Sequence, residues 1–259
     1  MNQNTAPQTD GNLTEEDAWS QPNQVLHRIS PAYTNDCYLV WVDLREFIKS
    51  NGSTAAIRIL DYGAGGSPYR QYFPNAEYRR ADLTKAPYLD YHIGADSTIV
   101  EADETFDLIL STQVAEHVVN PDVYFKECFR LLKPGGKLVL TTHGIWEEHG
   151  CPYDFQRWTE EGFRRDLMQA GFKQMDLYKL TCGIRAGIVL FTRVLFSTQS
   201  PKAAVPRFLF KAFRFAYSRT FGLVHRICER WFPEEAIVHT KTSDLHPIFY
   251  VGIAVVAQK

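Results

Sequence analysis

The sequence predicts an α/β fold built on a doubly wound, Rossmann-like sheet, and three observations carry that expectation. The first is residues 57–69, IRILDYGAGGSPY, where an apolar run of buried-strand type ends in Asp61 and passes at once into a glycine turn at Gly63, Gly65 and Gly66. A backbone that turns sharply out of a strand and lets a ligand approach closely has no room for a Cβ. The second is Asp82, an acid ending the next candidate strand, 19 positions after Gly63. The third is the alternation of strand and helix patterns from 57 to 143, which favours parallel strands with right-handed crossovers. The glycine spacing is D-x-G-x-G. It is not the dinucleotide fingerprint G-x-G-x-x-G, whose last position falls on Pro68. A carboxylate placed as Asp82 is can accept hydrogen bonds from both ribose hydroxyls. Together these features point to a nucleoside cofactor at the carboxyl edge of a parallel sheet.

In chain order, residues 1–20 are polar and acidic with no apolar h-region, which reads as a disordered tail and not a signal peptide. Residues 33–50 read as an amphipathic helix, since Tyr38, Leu39, Trp41, Val42, Leu44 and Phe47 recur at helical spacing. Strands are expected at 57–61, 78–82, 91–93, 106–111 and 137–142. A helix fits 121–132, with Pro121 in its first turn and a stop before Lys133-Pro134-Gly135-Gly136, a turn with a structural role only. Another helix spans 159–170, with Thr159 and Glu160 at its start and Gly171 as its C-cap. Strands at 172–180 and 248–257 complete the set.

Composition is ordinary for a globular chain of 259 residues, with 45% apolar and 22% charged residues, so one large domain with an insertion can bury a substantial core. The net charge of −2 hides an asymmetry. Residues 1–150 carry 12 basic against 21 acidic side chains, whereas 185–230 carry nine basic ones and only Glu229 acidic. The five cysteines are odd in number, widely spaced and free of any C-x-x-C pair, which argues for reduced thiols in a cytoplasmic protein. No apolar run reaches the ~18 residues of a membrane span.

The ordered motifs ILDYGAGGSPY, RRADL, FDLILSTQVAEHVVNP (106–121), LLKPGGKLVLTT (131–142) and HGCPYDFQRWTEEGF (149–163) resemble those of the class I S-adenosylmethionine-dependent methyltransferases, and most closely their bacterial type 11 branch. The resemblance covers 57–180 and the final strand. It implies a seven-stranded sheet with an N-terminal helical extension and a helical insertion before the last strand. The methyltransferase domain would then comprise 21–184 with 246–259, and the insertion 185–245. Carried over residue by residue, Asp61 and the Gly63–Ala64–Gly65 backbone face the methionine moiety of S-adenosyl-L-methionine. Asp82 takes the ribose hydroxyls, Leu83 packs on adenine, Asp96 meets the adenine amino group, and Thr112 and Gln113 line the methionine side.

Methyl transfer is an in-line displacement, so positioning supplies much of the catalysis, and an alcohol acceptor additionally has to lose a proton. Candidate bases follow the fourth and fifth strands: His117, His143, His149 and Asp154. The preferred reading makes His143 or His149 the base, with Asp154 orienting or assisting it. Glu116 and His117 read as braces of the turn after the fourth strand, Arg157 as an ion-pair partner and Trp158 as packing. A metal-dependent subset of this fold uses E-x-x-E-H plus a later histidine. Here Gln113 replaces the first carboxylate, and no metal is expected.

The insertion is aromatic and basic. In 206–232, Arg207, Lys211, Arg214 and Ser218 fall on one helical face, and Leu209, Phe213, Ala216, Leu223, Val224, Ile227 and Trp231 on the other. It reads as a lid or homodimer contact, or as an acceptor-recognition helix lying peripherally on the anionic inner face of a membrane. Nucleic acid is disfavoured by the acidic chain as a whole and the lack of a nucleic-acid module. The resemblance favours O-methylation of a sugar or other small-molecule hydroxyl in a bacterial glycan or secondary-metabolite pathway. Two rivals stand beside it. One is a non-catalytic S-adenosylmethionine-binding regulator, weighed against by His143, His149 and Asp154. The other is a metal-assisted RNA 2′-O-methyltransferase, weighed against by Gln113.

Overall fold

Strands β1 (Arg58–Tyr62), β2 (Glu77–Asp82), β3 (Tyr91–His92), β4 (Phe106–Thr112), β5 (Leu132–His143), β6 (Gln174–Cys182), β7 (Ile237–His239) and β8 (Tyr250–Gln258) form one sheet in the order β3-β2-β1-β4-β5-β8-β6-β7. The computed structural model describes residues 22–150 and 153–259, so the tail read over 1–20 lies outside the described residues. Strands β1 to β5 pair in parallel, whereas β8 runs antiparallel to both β5 and β6. The sheet has eight strands instead of seven, because the insertion contributes β7 as a short antiparallel edge beside β6.

Helices cover both faces, which is why β1 and β4 read as continuous apolar runs without alternation. Helix α1 (Pro22–Ile29) precedes α2 (Tyr38–Ser50). On one face, Leu44, Phe47 and Ile48 of α2 pack against Ile59, Leu108, Leu110 and Val139. On the other, Tyr124, Phe125 and Cys128 of α3 (Pro121–Leu131) and Phe163 and Leu167 of α4 (Glu160–Ala170) cover Leu60, Ile109, Leu138 and Leu140. Each such fully buried side chain contributes ~1.5–3 kcal/mol. The caps are those the sequence signals. Asn120 accepts from the Val123 amide and Thr159 from the Gly162 amide, and Gly171 closes α4 at φ 117°.

Local chemistry moves some boundaries. Helix α2 begins at Tyr38 and not at 33, because the Asn35 side chain accepts the Cys37 amide at 2.8 Å and holds a turn there. Strand β5 begins at Leu132 and not at 137; its register with β4 slips between Phe106 and Leu108, and the KPGG residues form the irregular stretch, with Gly135 at φ 79°. The insertion is three helices, α5 (Gly183–Ser197), α6 (Ala204–Ser218) and α7 (Phe221–Trp231), so the helical segment read over 206–232 breaks near Thr220.

Helix α5 is fastened to the core by an ion pair. Arg185 and Asp43 are each 2% exposed; the guanidinium donates to both Asp43 oxygens, and the Thr181 hydroxyl donates to Oδ2 at 2.8 Å. Helix α7 is held by the Tyr33 and Tyr38 hydroxyls, which donate to Glu229 at 2.6 and 2.7 Å. Helix α6 buries no residue. No helix of the described residues is long and apolar enough to cross a membrane.

Candidate active site

From β1 the chain steps outward to β2 and β3, then returns to place β4 on the other side of β1. The loops leaving β1 and β4 therefore diverge, and a crevice opens at their carboxyl ends. A cleft of about 320 Å³ lies there. Its wall contains Gly63, Ala64 and Gly65 after β1, Asp82 and Leu83 after β2, and Thr112 and Gln113 at the end of β4. Those seven expected cofactor residues thus converge from three strands. Val25 and Arg28 of α1 also line the cleft, and the Val25 Cγ2 lies 2.7 Å from where a Cβ on Gly66 would stand. Sequence reasoning missed this helix, whose short amphipathic pattern carries no ligand signal.

The glycine turn is built for close approach. Gly63 has φ 78° and a Cβ there would meet Val114 Cγ2 at 2.4 Å, while Gly65, at φ 47°, faces open space. The Gly65 amide donates to Asp82 Oδ2 at 2.9 Å, and the Gly63 and Ala64 amides both donate to the Ala81 carbonyl. Gln113 holds φ 57°, a strained value for a non-glycine residue at a strand end, and its Oε1 is buried without a hydrogen-bond partner.

Two expected residues stand off the wall. Asp61 is 3% exposed and lies behind the turn, where the Tyr78 hydroxyl donates to its Oδ2 at 2.7 Å. Burial pushes its carboxyl up to about 7, against the lowering effect of the Tyr78 bond. Asp96 caps its own turn, accepting from the Thr98 amide and hydroxyl, while its neighbours Ala95 and Ser97 reach the cleft.

Beyond β4 and β5 the chain gathers a second constellation. Glu116 is fully buried; its Oε2 accepts from the Thr142 hydroxyl at 2.8 Å, and its Oε1 lies 3.3 Å from His143 Nε2 and 3.9 Å from His117 Nε2. The His149 ring sits edge-on to both His117 and His143, at 5.0 and 5.1 Å between centroids. Asp154 faces His149 Nδ1 at 3.3 Å, accepts the His149 amide at 2.9 Å and is gripped by Arg157 at 2.5 and 2.6 Å. Arg157 holds the Asp154 carboxyl well below the usual range, whereas burial raises that of Glu116. Burial, and the neighbouring His149, push His143 well below its ordinary value, so its imidazole is neutral. His143, His149 and Asp154 thus come together as a group. Glu116, read from sequence as a brace, stands at their centre; the Glu-His doublet was its only signal. His117 belongs to both places, lining the cofactor-type cleft and facing Glu116.

The insertion reaches this group through Arg193 of α5, which pairs with Asp36 at 2.7 Å and with Glu147. Its guanidinium lies 5.8 Å from the Trp146 ring centroid, and Trp146 stacks parallel to His143 at 5.3 Å.

Residues 60–140 match the family model described as a methyltransferase domain. Among curated relatives, the chain is 32% identical over 102 residues to a ubiquinone biosynthesis O-methyltransferase of Maricaulis maris, covering 33% of this chain and 40% of that protein. It is 28% identical over 133 residues to the protein of the same name from Pseudomonas putida, covering 45% of this chain and 53% of the relative. The matches therefore span about half or less of those proteins. Neither name supports the sugar or secondary-metabolite acceptor expected from the motifs. Among solved structures, Haemonchus contortus phosphoethanolamine N-methyltransferase 2, in complex with phosphomonomethylethanolamine and S-adenosylhomocysteine, aligns at TM-score 0.50 and 14% identity over 91% of this chain and 59% of that one, a likeness of fold. Residues 60–140 thus match a methyltransferase domain, and they lie in an α/β sheet whose fold is like that of a methyltransferase bound to S-adenosylhomocysteine.

Proposed function

We propose that this chain transfers a methyl group from S-adenosylmethionine to a hydroxyl oxygen of a small-molecule acceptor. One observation carries the reading: His117 lies at once on the wall of the cofactor cleft and against the Glu116–His143–His149 group. A ligand in the cleft would end beside a cluster suited to a hydroxyl proton. The relatives' name, O-methyltransferase, supports the same choice of acceptor atom.

The cleft suits the cofactor. The open space at Gly65 admits a ligand where a Cβ would intrude, and Asp82 brings to the cleft wall a carboxylate, the acceptor that paired ribose hydroxyls need. The unpartnered Gln113 Oε1 suits an ammonium donor, and Leu83, half exposed, offers an apolar face to a purine. When bound, this cofactor supplies a methyl group activated on a sulfonium. The chain's own residues hold the acceptor in line and handle its proton. His149, turned by Asp154, is the imidazole placed for that task.

The acceptor side extends to the insertion. Phe208, Leu209 and Phe215 on α6, and Leu223, Ile227 and Trp231 on α7, are all exposed, beside Lys202, Lys211 and Arg219. An outward apolar face rimmed by cations suits an anionic lipid surface, so α6 and α7 would dock there and receive an acceptor held at the membrane. This reading is separate from the first and is tested separately.

Titration calorimetry with S-adenosylmethionine, followed by mass spectrometry of labelled methyl transferred to phenolic, sugar and amine acceptors, tests the proposal. Micromolar binding with transfer to oxygen is expected. Binding without transfer to any class would leave a cofactor-binding regulator, and transfer to amines alone would overturn the choice of oxygen.

A further inference from the structure

We infer that Glu116, His143 and His149 form a binding site for one divalent transition-metal ion, with zinc the ion its donors suit best. Binding itself is independent of the function proposed above; the catalytic role given to the ion rests on that reading.

The donor atoms converge. One ligand atom each from Glu116, His143 and His149 lies within 4.8 Å of the other two. Zinc takes imidazole nitrogen and carboxylate oxygen at roughly 2.0–2.2 Å in tetrahedral sites, which places neighbouring ligand atoms about 3.3 Å apart. Glu116 Oε1 and His143 Nε2 are already at 3.3 Å, while His117 Nε2, 3.9 Å from the same oxygen, stands beside the set. Two imidazole nitrogens and one carboxylate oxygen favour zinc over magnesium or calcium, which prefer all-oxygen shells.

The outer contacts of His149 have the arrangement that a metal-bound histidine requires, whereas His143 Nδ1 is buried without a hydrogen-bond partner. A ligating imidazole gives its second ring N–H to a carboxylate or a backbone carbonyl, which fixes ring and tautomer. His149 Nδ1 faces both Asp154 Oδ2 and the Glu147 carbonyl at 3.3 Å. The ring therefore keeps Nε2 as an unprotonated donor. Glu116 is oriented likewise, its Oε2 taken by Thr142 while Oε1 remains buried without a hydrogen-bond partner. A carboxylate with no exposed surface, whose Oε1 faces imidazoles, is costly to bury as an ion, and a bound dication removes that cost.

This departs from the expectation of no metal. The carboxylate missing at Gln113 is replaced by histidines brought in after β5, so the donor set is rich in nitrogen instead of oxygen. His143 and His149 then act as ligands. Three protein ligands leave the fourth tetrahedral position open; the acceptor hydroxyl takes it and its O–H bond breaks, the proton passing to water. The O–CH₃ bond forms as the methyl–sulfur bond breaks, with that electron pair left on sulfur.

The test uses tag-free protein stripped with chelator and titrated with Zn²⁺ by calorimetry, and with Co²⁺ by visible absorption. One equivalent at micromolar affinity or tighter, with the intense bands of four-coordinate Co²⁺, is expected. His149→Gln, at a partly exposed position, and Glu116→Gln should each weaken binding at least tenfold, with folding checked by near-ultraviolet circular dichroism. His239→Gln, on the distant β7, should not change it. Stripped protein should keep its S-adenosylmethionine affinity yet lose transfer, and regain it with Zn²⁺. No binding beyond that of His149→Gln overturns the site, even if transfer persists through an imidazole base. Tight binding with unchanged transfer in stripped protein overturns the ion's catalytic role. Loss of cofactor binding with the metal site intact would fault the methyl-transfer reading instead.

Discussion

The Gly65 amide donates a hydrogen bond of 2.9 Å to Asp82 Oδ2, so the glycine turn after β1 and the acid after β2 are one unit. The carboxylate both shapes the turn and faces the cleft.

Asp82→Ala should therefore weaken S-adenosylmethionine binding by ~1–3 kcal/mol, roughly 5- to 150-fold, through lost charge-assisted hydrogen bonds. Asp82→Asn keeps an acceptor for Gly65 and should fall in between. Calorimetry in which both variants bind like the wild type would remove Asp82 from the cofactor site.

Gly63→Ala combines a left-handed backbone with a Cβ 2.4 Å from Val114 Cγ2. Strain and overpacking together should cost roughly 2–4 kcal/mol of stability. Adding Val114→Ala should recover only the steric part, leaving the backbone strain. Chemical denaturation of the two variants measures the difference.

Asp61 gives a pH signature. Burial raises its folded pKa to about 7 from the ordinary 3.8, so between these values the folded state holds a proton that the unfolded chain has released. Its stabilising contribution is complete below 3.8, fades as pH rises, and is gone above about 7. Asp61→Asn should flatten this slope and exceed the wild type at pH 8 by roughly 1–3 kcal/mol in the ligand-free protein. Thermal unfolding at several pH values checks it. Because Asp61 lies behind the wall, cofactor affinity should fall less than in Asp82→Ala.

His143→Ala and His149→Ala should each lower turnover by ~10²–10⁴ with cofactor affinity nearly unchanged, whether the imidazoles act as bases or as ligands. Steady-state kinetics beside calorimetry separates these effects. Unchanged turnover in both would mean that positioning alone suffices, which points to a nitrogen or sulfur acceptor.

For α6, charge reversal at Lys202 and Lys211 should weaken partition onto phosphatidylglycerol vesicles roughly 10- to 30-fold, at about 1 kcal/mol per cation. Arg214 is a poor choice for this test: it donates to the Phe196 and Thr198 carbonyls and lies over the Phe196 ring, so its loss would disturb the turn itself. Wild type that ignores vesicles, together with sedimentation showing a dimer that the reversals break, would make this face a contact between copies.

The sequence alone determined the fold class and most of the residues that line the cleft at the carboxyl edge of the sheet, because those signals are local. A glycine turn, the acid that ends the following strand and the apolar runs of a buried parallel sheet are written within a few residues of where they act. It did not reveal that β7 joins the sheet, that β8 runs antiparallel, or that α1 lines the cleft, since pairing and docking depend on distant partners. The imidazole group is the clearest case. His143 was legible as a residue after a strand and His149 as part of a motif, yet nothing along the chain says that both rings meet Glu116 and His117. That meeting is decided by the parallel register of β4 and β5, Thr112 beside Thr141, which brings the loops after the two strands together at one edge of the sheet. Asp61 shows the converse. Its place in the motif suggests a ligand contact, and burial behind the turn, under the Tyr78 hydroxyl, is a property of packing in three dimensions.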